Sequence, residues 1–437
     1  MTFPKPVLSH GRDRADDGAG ISPTDATKAA GHSGGMNRRA AAAELRAPTA
    51  TAVYVESAPR ASRGRLDDRA LRFHRQLPGY ERSPLIDAPQ IAAALGVRRV
   101  WIKNESSRFG LPAYKMLGAS MAAHMALGDW LGLDRPLEYA LGQIGRLARP
   151  GAPTLIAPTD GNHGRAVARY AAMVGIRSWI LLPAETAQSR VDAINAERGA
   201  RADVVDHSYL GTVRQAVQIA QSDPTFILVT DFAGEATGPT PAWVIDGYST
   251  IFQELDAQLA SASAGRPSLA VAQVGAGALA CAVARWCATA PRHHTPLLTV
   301  EPDDAACLLT SLAAGQVIEL QGPFRSTMAG LNCDAPSALA YEELCGAVTA
   351  AVAVQDATTA WAMQALARLG IEAGESGAAG LAGLGVASFD PEQEALRAAC
   401  GLNAEAEVLL FVTERITDPV SAAAALTRSF DAWPALA

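Results

Sequence analysis

Short apolar runs alternate with alanine-rich stretches through most of this chain, and this alternation restricts the fold more than any other feature. Stretches with helical periodicity, such as residues 164–174 and 278–287, lie between the runs. A strand buried on both faces is apolar along its whole length, and such strands occur in parallel sheets that helices cover. The pattern therefore predicts a doubly wound α/β protein. The apolar runs occupy residues 100–102, 154–157, 179–183, 226–229, 269–274, 297–300 and 408–412.

The first part of the chain has a different composition. Residues 1–54 are rich in Gly, Ala, Ser, Arg and Asp and contain few large apolar side chains. A segment of this kind buries too little surface to offset the conformational entropy that it loses on ordering. We therefore expect residues 1–54 to be a disordered extension, with Met36 as an alternative start of the chain.

The overall charge and the cysteine spacing exclude several functional classes. The 437 residues include 37 Lys and Arg against 44 Asp and Glu, a formal net charge of −7, which disfavours binding to nucleic-acid phosphates. The apolar stretches fall short of the roughly 18–20 residues of a membrane span, and a signal peptide is not expected. The six cysteines form no CxxC pair, so we expect neither a metal site nor a disulfide framework. These features predict a cytoplasmic enzyme.

A glycine-rich turn follows the apolar run at residues 269–274. Its backbone N–H groups are predicted to point at an anion, because the turn opens a segment with helical periodicity. The spacing fits a dinucleotide-binding GxGxxA turn, with Glu301 as the ribose-binding acid. A cup for a single phosphate group and close packing without a ligand are the alternatives. The turn consists of Gly275, Ala276, Gly277, Ala278 and Leu279.

Two further segments suggest chemistry. Lys115 is flanked by Tyr114 and Met116, and apolar surroundings lower the pKa of a lysine and favour the neutral amine that forms a Schiff base. A surface lysine at a helix start is the alternative. The polar loop at residues 157–164 follows a predicted strand and offers N–H groups to a carboxylate, although a helix N-cap by Thr159 or Asp160 would explain it equally.

Together these segments resemble the fold-type II pyridoxal 5′-phosphate (PLP) enzymes, the tryptophan synthase β and threonine dehydratase group, and within it the diaminopropionate ammonia-lyases. The resemblance extends over about residues 71–418 and replaces a dinucleotide with PLP as the expected cofactor. The matching stretches are residues 72–85, 107–111, 114–118, 158–165, 188–194, 300–303, 328–333 and 374–378.

The resemblance implies two α/β domains, each with a mainly parallel sheet flanked by helices. Residues 55–118 and 238–437 would form the large PLP-binding domain. Residues 119–237 would form the small domain that closes over the substrate. A homodimer is also implied, by the resemblance alone.

The resemblance also implies a role for each residue of the site. Lys115 would bind the cofactor covalently, and a neutral hydroxyl at Thr413 would leave the ring nitrogen unprotonated, which suits β-elimination. Asn162 would bind the ring 3-oxygen, and the glycine-rich turn the phosphate. The implied catalytic residues are Lys115, Asp160 and Asp231, and the implied substrate ligands are Thr159, Asp160 and His163.

Asp160 indicates the substrate. Ser/Thr dehydratases of this fold carry a serine there, whereas a carboxylate beside Cα acts as a second base and attracts a cationic amine. The resemblance implies α,β-elimination of D- or L-2,3-diaminopropionate to pyruvate and ammonia, with Lys115 or Asp160 removing the Cα proton. The alternative is a Ser/Thr dehydratase-like or β-replacement enzyme that acts on another β-substituted alanine.

Several positions depart from the family pattern. Gly234, Ala236 and Thr237 stand where the family has Trp, Gly and Tyr, so we expect an aromatic wall to be missing. Arg415 replaces a family glycine. It is expected close to the ring, where it would pair with an acidic substrate side chain in the alternative function.

Two more classes and one cysteine pair complete the expectations. Lys115 and the polar loop disfavour an NAD(P)-dependent oxidoreductase, and the retained lysine and carboxylates disfavour a non-catalytic PLP-fold regulator. Cys307 and Cys333 match cysteines of the family, and we expect them to be a buried pair of free thiols.

Overall fold

The computed structural model describes residues 52–56, 60–62, 64–184, 186–289, 294–430 and 434. Residues 1–51 of the predicted extension lie outside this part of the chain. Residues 52–54 were also assigned to that extension, and this was wrong, because Ala52–Val55 form a strand that pairs with Ala350–Val354. The pairing satisfies backbone groups that a short four-residue segment could not satisfy alone.

Strands and helices alternate along most of the chain. The strands are β1 (Ala52–Val55), β2 (Leu85–Asp87), β3 (Arg99–Asn104), β4 (Thr154–Pro158), β5 (Arg177–Leu182), β6 (Ala200–Val204), β7 (Phe226–Leu228), β8 (Leu269–Gln273), β9 (Leu297–Pro302), β10 (Ala350–Val354) and β11 (Glu407–Val412). The helices are α1 (Ala70–His74), α2 (Pro89–Leu95), α3 (Met116–Trp130), α4 (Leu141–Ala148), α5 (Asn162–Val174), α6 (Gln188–Asn195), α7 (Tyr209–Ser222), α8 (Thr240–Gly247), α9 (Ser249–Ser261), α10 (Ala278–Cys287), α11 (Cys307–Ala314), α12 (Ala338–Leu344), α13 (Asp356–Arg368), α14 (Glu375–Phe389), α15 (Glu394–Cys400) and α16 (Pro419–Leu426).

The strands form two sheets. The larger has the order β1-β10-β9-β8-β11-β3-β2, parallel in its interior and antiparallel at both edges. The smaller has the order β6-β5-β4-β7 and is parallel throughout. The α/β class with mainly parallel sheets is therefore confirmed.

Helices cover both faces of the larger sheet. In β8, Leu269 and Val271 belong to the core cluster that contains α14, whereas Ala270 and Ala272 belong to the cluster that contains α10. This division follows from the two-residue period of a strand, which sends alternate side chains to opposite faces. Because both faces are apolar, β8 is a continuous apolar run in the sequence.

The smaller sheet uses strands between residues 154 and 228, and the larger sheet uses strands before and after this range. The division into a large domain and a small closing domain stays a prediction, since the described residues fall within one compact unit. Within the described part of the chain, every helix is too short or too polar to cross a membrane.

Candidate active site

Segments that follow the carboxyl ends of β4, β7, β8 and β11 line one cavity, which is where ligands bind in parallel α/β sheets. The predicted catalytic residues and cofactor ligands all lie in its wall, and the side chains of Thr159 and His163 do not. The lining residues are Tyr114, Lys115, Asp160, Asn162, Asp231, Gln273, Gly275, Ala276, Gly277, Ala278, Leu279, Gly330, Leu331, Ser376, Thr413 and Glu414.

Lys115 immediately precedes α3 and reaches into the cavity. Its Nζ donates a hydrogen bond to Asp231 Oδ2 over 2.7 Å. Burial by itself lowers the pKa of this amine, but Asp231, together with Tyr114, Tyr248 and Asp160, outweighs burial and raises the pKa well above the ordinary value. The expectation of a lowered pKa was therefore wrong for the side chain without a ligand. It rested on apolar sequence neighbours, whereas the fold brings in a charge from 116 residues away.

Asp231 is held from two sides. Tyr209 Oη donates to its Oδ1 over 3.0 Å, while Lys115 binds the other oxygen. Burial opposes ionisation of Asp231, but the Lys115 charge and these hydrogen bonds lower its pKa below the usual aspartate value. Asp231 is therefore a fixed negative charge beside the lysine.

Two further carboxyl groups face the same cavity. Burial raises the pKa of Asp160, and it also raises the pKa of Glu414, with the Asp160 charge adding to the shift at Glu414. Asp160 follows β4, and Arg190 donates to its backbone carbonyl over 2.9 Å. These two groups therefore take up protons at a higher pH than ordinary carboxylates do, as expected where burial and like charges meet.

Asn162 and Thr413 each have a polar partner behind them. The Asn162 side-chain amide donates to the Glu414 carboxylate. The amide nitrogen of Gln273 lies 2.8 Å from Thr413 Oγ1. An amide nitrogen cannot accept a hydrogen bond, so the Thr413 oxygen is the acceptor. The Thr413 hydroxyl itself donates only a long hydrogen bond, of 3.5 Å, to the Ser376 carbonyl oxygen.

The glycine-rich turn leads into α10, as predicted. Gly277 has φ of +101°, a conformation that side chains rarely adopt. A side chain at Gly277 would contact Ala340, and one at Gly275 would contact the Gly330 carbonyl oxygen. The turn therefore exposes bare backbone at a helix N-terminus, which suits a phosphate group.

The dinucleotide interpretation of this turn was wrong. Glu301, its expected ribose-binding acid, is fully buried and accepts backbone hydrogen bonds from Leu308 and Leu309 at the start of α11. A carboxylate in this position satisfies helix N–H groups and is turned away from any ligand.

Thr159 and His163 have other partners than predicted. The Thr159 hydroxyl accepts from the N–H groups of Gly161 and Gly164, so it stabilises the loop that leads into α5. His163 Nε2 is paired with the Val229 carbonyl oxygen over 3.1 Å. Contact of these side chains with a substrate is therefore without support in this geometry.

The site also contains four residues that were not among the predicted site residues, namely Glu414, Gln273, Ser376 and Tyr209. Glu414 and Gln273 adjoin strand ends that had been singled out, so the end of a predicted strand is the signal that could have found them. The contact of Tyr209 with Asp231 is made only in the fold.

The departures from the family pattern lie away from this cavity. Thr237 bonds to Gly234 in a surface turn. Arg415 lines a different cavity, so its expected place beside the ring was wrong. Cys307 and Cys333 are buried free thiols, as expected.

Comparison with known proteins agrees with this site. The family model described as "Pyridoxal-phosphate dependent enzyme" matches residues 77–413. The diaminopropionate ammonia-lyase of Escherichia coli strain K12 is 34% identical over 359 residues, which cover 80% of this chain and 88% of the relative. The chain belongs to this family. The Salmonella typhimurium diaminopropionate ammonia-lyase is 31% identical over 82% of this chain and 90% of its own length.

Solved structures of the family share the fold. The E. coli diaminopropionate ammonia-lyase in complex with D-serine superposes with a TM-score of 0.78 at 31% identity, covering 86% of this chain and 96% of that structure. The cofactor is PLP, as in the family. The bare backbone of the glycine-rich turn, the amine of Lys115 and the hydroxyl of Thr413 fit its phosphate, aldehyde and ring nitrogen in chemical type.

Proposed function

We propose that the protein converts 2,3-diaminopropionate to pyruvate and ammonia by PLP-dependent α,β-elimination. The observation that carries the proposal is the Asp160 carboxyl group in the same cavity as Lys115. Two groups able to move a proton, one amine and one carboxylate, then border the substrate Cα. A carboxylate also attracts the amine of the substrate that is to leave.

When bound, PLP withdraws electrons from the substrate Cα and so acidifies its proton. Lys115 holds the cofactor and then acts as a base at Cα. Asp231 and Tyr209 hold the Lys115 amine in place through the hydrogen bonds described above. Their part is to orient this amine toward the substrate.

Asp160 is the second proton-transfer group in this proposal. Its raised pKa brings the carboxyl closer to the operating pH, which favours exchange of a proton with the substrate. As a carboxylate it attracts the β-ammonium group. Serine, the dehydratase residue at this position, could supply neither effect.

The substrate approaches through a second cavity of about 630 Å³, which shares Asp160 with the first. Its wall includes the acidic residues Asp206, Glu375 and Asp418 and one arginine, Arg190. This excess of carboxylates favours a cationic substrate. Glu375 lines this approach and accepts a hydrogen bond from Ser421 Oγ.

The remaining ligands follow from the same geometry. Backbone N–H groups at residues 275–279 would bind the PLP phosphate. One hydrogen of the Asn162 amide is used by Glu414, and the second would be available for the ring 3-oxygen. Thr413, whose oxygen already accepts from Gln273, would exchange its long hydrogen bond to Ser376 for one to the unprotonated ring nitrogen.

A substrate panel tests the proposal. Purified holoenzyme is assayed with D- and L-diaminopropionate, D- and L-serine and threonine, and both products are measured. We expect one pyruvate and two ammonia for each diaminopropionate consumed, with slower turnover of the hydroxyl substrates. Absence of turnover of either diaminopropionate enantiomer would disprove the proposal, and faster turnover of serine or threonine would favour the dehydratase alternative.

Borohydride reduction tests the role of Lys115 independently of turnover. Reduction followed by peptide mass mapping is expected to find the cofactor on Lys115, with Lys103 as an internal lysine control. A modified lysine elsewhere would overturn this assignment.

Assembly and location belong to the same proposal. The family resemblance supports a homodimer whose residues 119–237 close over the substrate. The composition supports a cytoplasmic location. Light scattering of the purified protein at several concentrations measures its oligomeric state, and a monomeric mass throughout would contradict the homodimer.

A further inference from the structure

A basic cavity of about 220 Å³ lies beside the active site. Asn162 lines both this cavity and the one that contains Lys115. The basic cavity is bordered by α5, α6 and the segment after β11, and each of these elements contributes one arginine. These arginines are Arg165, Arg190 and Arg415.

The positive charge of this cavity is only partly compensated. Arg165 is paired with Glu197 over 3.3 Å. Arg190 donates to the Asp160 carbonyl oxygen and to Thr417 Oγ1, which are neutral acceptors. Among the described residues, the Arg415 guanidinium has no carboxylate partner, and the lining of the cavity contains no acidic residue.

Among the three arginines, Arg415 is the one that departs from the family pattern. The family resemblance puts a glycine at this position, and the structure turns the arginine away from the Lys115 cavity. A guanidinium that faces a concave, positively charged surface without a partner is unfavourable unless an anion joins it.

We propose that this cavity binds a small oxyanion, with phosphate or carboxylate groups, through Arg165, Arg190 and Arg415. Planar guanidinium groups bind such groups through paired, charge-assisted hydrogen bonds. The hydroxyl of Ser189, also in the wall, adds a neutral donor. The volume corresponds to about seven water molecules, which is sufficient for one such anion with part of its hydration.

Isothermal titration calorimetry with inorganic phosphate tests this site. The protein is first saturated with PLP, so that the phosphate-binding turn is filled, and ionic strength is held constant with potassium chloride. We expect one phosphate for each chain, and at least tenfold weaker binding to Arg415→Gln. Arg149→Gln, at an exposed position after α4, is the matched control and should bind as the wild type does.

A titration with succinate separates the two sources of such an anion. Tighter binding of phosphate indicates a phosphorylated ligand, and tighter binding of succinate a dicarboxylate, and both support the site. If neither anion binds the wild type, or Arg415→Gln binds as tightly, the proposal is overturned. If Arg415→Gln fails to fold, Arg415→Gly, the residue of the family, replaces it. These measurements need no turnover, so failure of the anion site can be distinguished from failure of the proposed lyase activity.

Discussion

Two lysines in this protein lie among carboxylates, with opposite consequences. Lys103, in β3, is fully buried and binds Glu254 over 2.9 Å, while Arg108 bonds to both Glu254 and Glu105. The two cations and two carboxylates of this cluster balance. Lys115, by contrast, shares its cavity with three carboxyl groups.

The pKa directions follow this difference. Burial lowers the pKa of Lys103, and the carboxylates of Glu105 and Glu254 only partly offset it. The pKa of Lys115 is raised, because Asp231 and the other acidic groups around it together outweigh burial there. A closed, neutral cluster stabilises one arrangement, whereas an open site with excess negative charge can accept a cationic ligand and exchange protons.

Replacing the two lysines separates these roles most sharply. Lys115→Ala is expected to lower pyruvate formation by roughly 10³-fold or more, because both the attachment point of the cofactor and a base are lost. Its unfolding midpoint in urea should fall less than that of Lys103→Met, because Asp231 borders a cavity in which water can take the place of the amine. A marked loss of stability together with retained activity would contradict the comparison.

Lys103→Met is expected to do the reverse. It leaves the buried Glu254 carboxylate with one cation fewer, at a cost of about 3–5 kcal/mol in the free energy of unfolding. Urea unfolding followed by circular dichroism measures this loss. Arg98→Met, at an exposed ion pair with Glu407, is the control and should change stability by less than about 1 kcal/mol.

Asp160→Ser tests the excess of carboxylates in the open site. We expect diaminopropionate turnover to fall by roughly 10²–10³-fold, and more for one enantiomer than for the other, because the Cα proton points to only one side of the substrate. Serine turnover should fall less. Kinetics on D- and L-diaminopropionate measure this, and an equal loss on every substrate would contradict the role of Asp160 as a base.

Gln273→Met tests the hydrogen bond that the Gln273 amide donates to Thr413. The Thr413 hydroxyl donates a long hydrogen bond of 3.5 Å to the Ser376 carbonyl oxygen. Without the amide, Thr413 is expected to keep this acceptor in the holoenzyme, so that the cavity faces its lone pairs. We expect elimination to slow by about tenfold. The nitrogen-15 NMR shift of ring-labelled PLP should move toward the protonated form, while Thr413→Ser, which keeps a hydroxyl, should leave it unchanged. Unaltered shifts in Gln273→Met would count against this hydrogen-bond direction.

Glu301 has the smallest expected effect on activity, because it lies outside the cavity, and it extends the comparison to a lone buried carboxyl. Burial raises its pKa from 4.5 to about 8, although two N–H donors oppose the shift. Folded Glu301 thus holds its proton to a higher pH than the unfolded chain does, so its contribution to stability falls as pH rises from about 4.5 to about 8.

Glu301→Gln should remove this decline. Urea unfolding of both proteins at pH 5, 7 and 8.5 measures it. Parallel pH dependence in the two proteins would show that Glu301 is ionised throughout.

Much of the sheet framework follows from local sequence. The apolar runs at β3, β4, β5, β7, β8, β9 and β11 were predicted, because strands buried on both faces leave a continuous signal. β6 was missed, since Arg201 and Asp203 interrupt it, and β10 was missed, since its alanines also suit helices.

The site was predictable to the extent that it follows strand ends. Lys115, Asp160 and the glycine-rich turn are encoded in short segments that resemble a family. The Lys115–Asp231 pair and the Asn162–Glu414 contact join residues 116 and 252 positions apart. Local sequence patterns do not reveal such long-range pairs, and for this reason the direction of the Lys115 pKa shift was predicted wrongly.

β1 has a consequence for how the protein can be shortened. Its four residues shield the outer backbone of β10 by pairing from Ala52 to Val55. A fragment that starts after Val55 would leave the main-chain groups of β10 open to strands of other molecules. Any trimmed version intended for crystallisation should therefore keep these residues, and one that lacks them is expected to precipitate as its concentration rises.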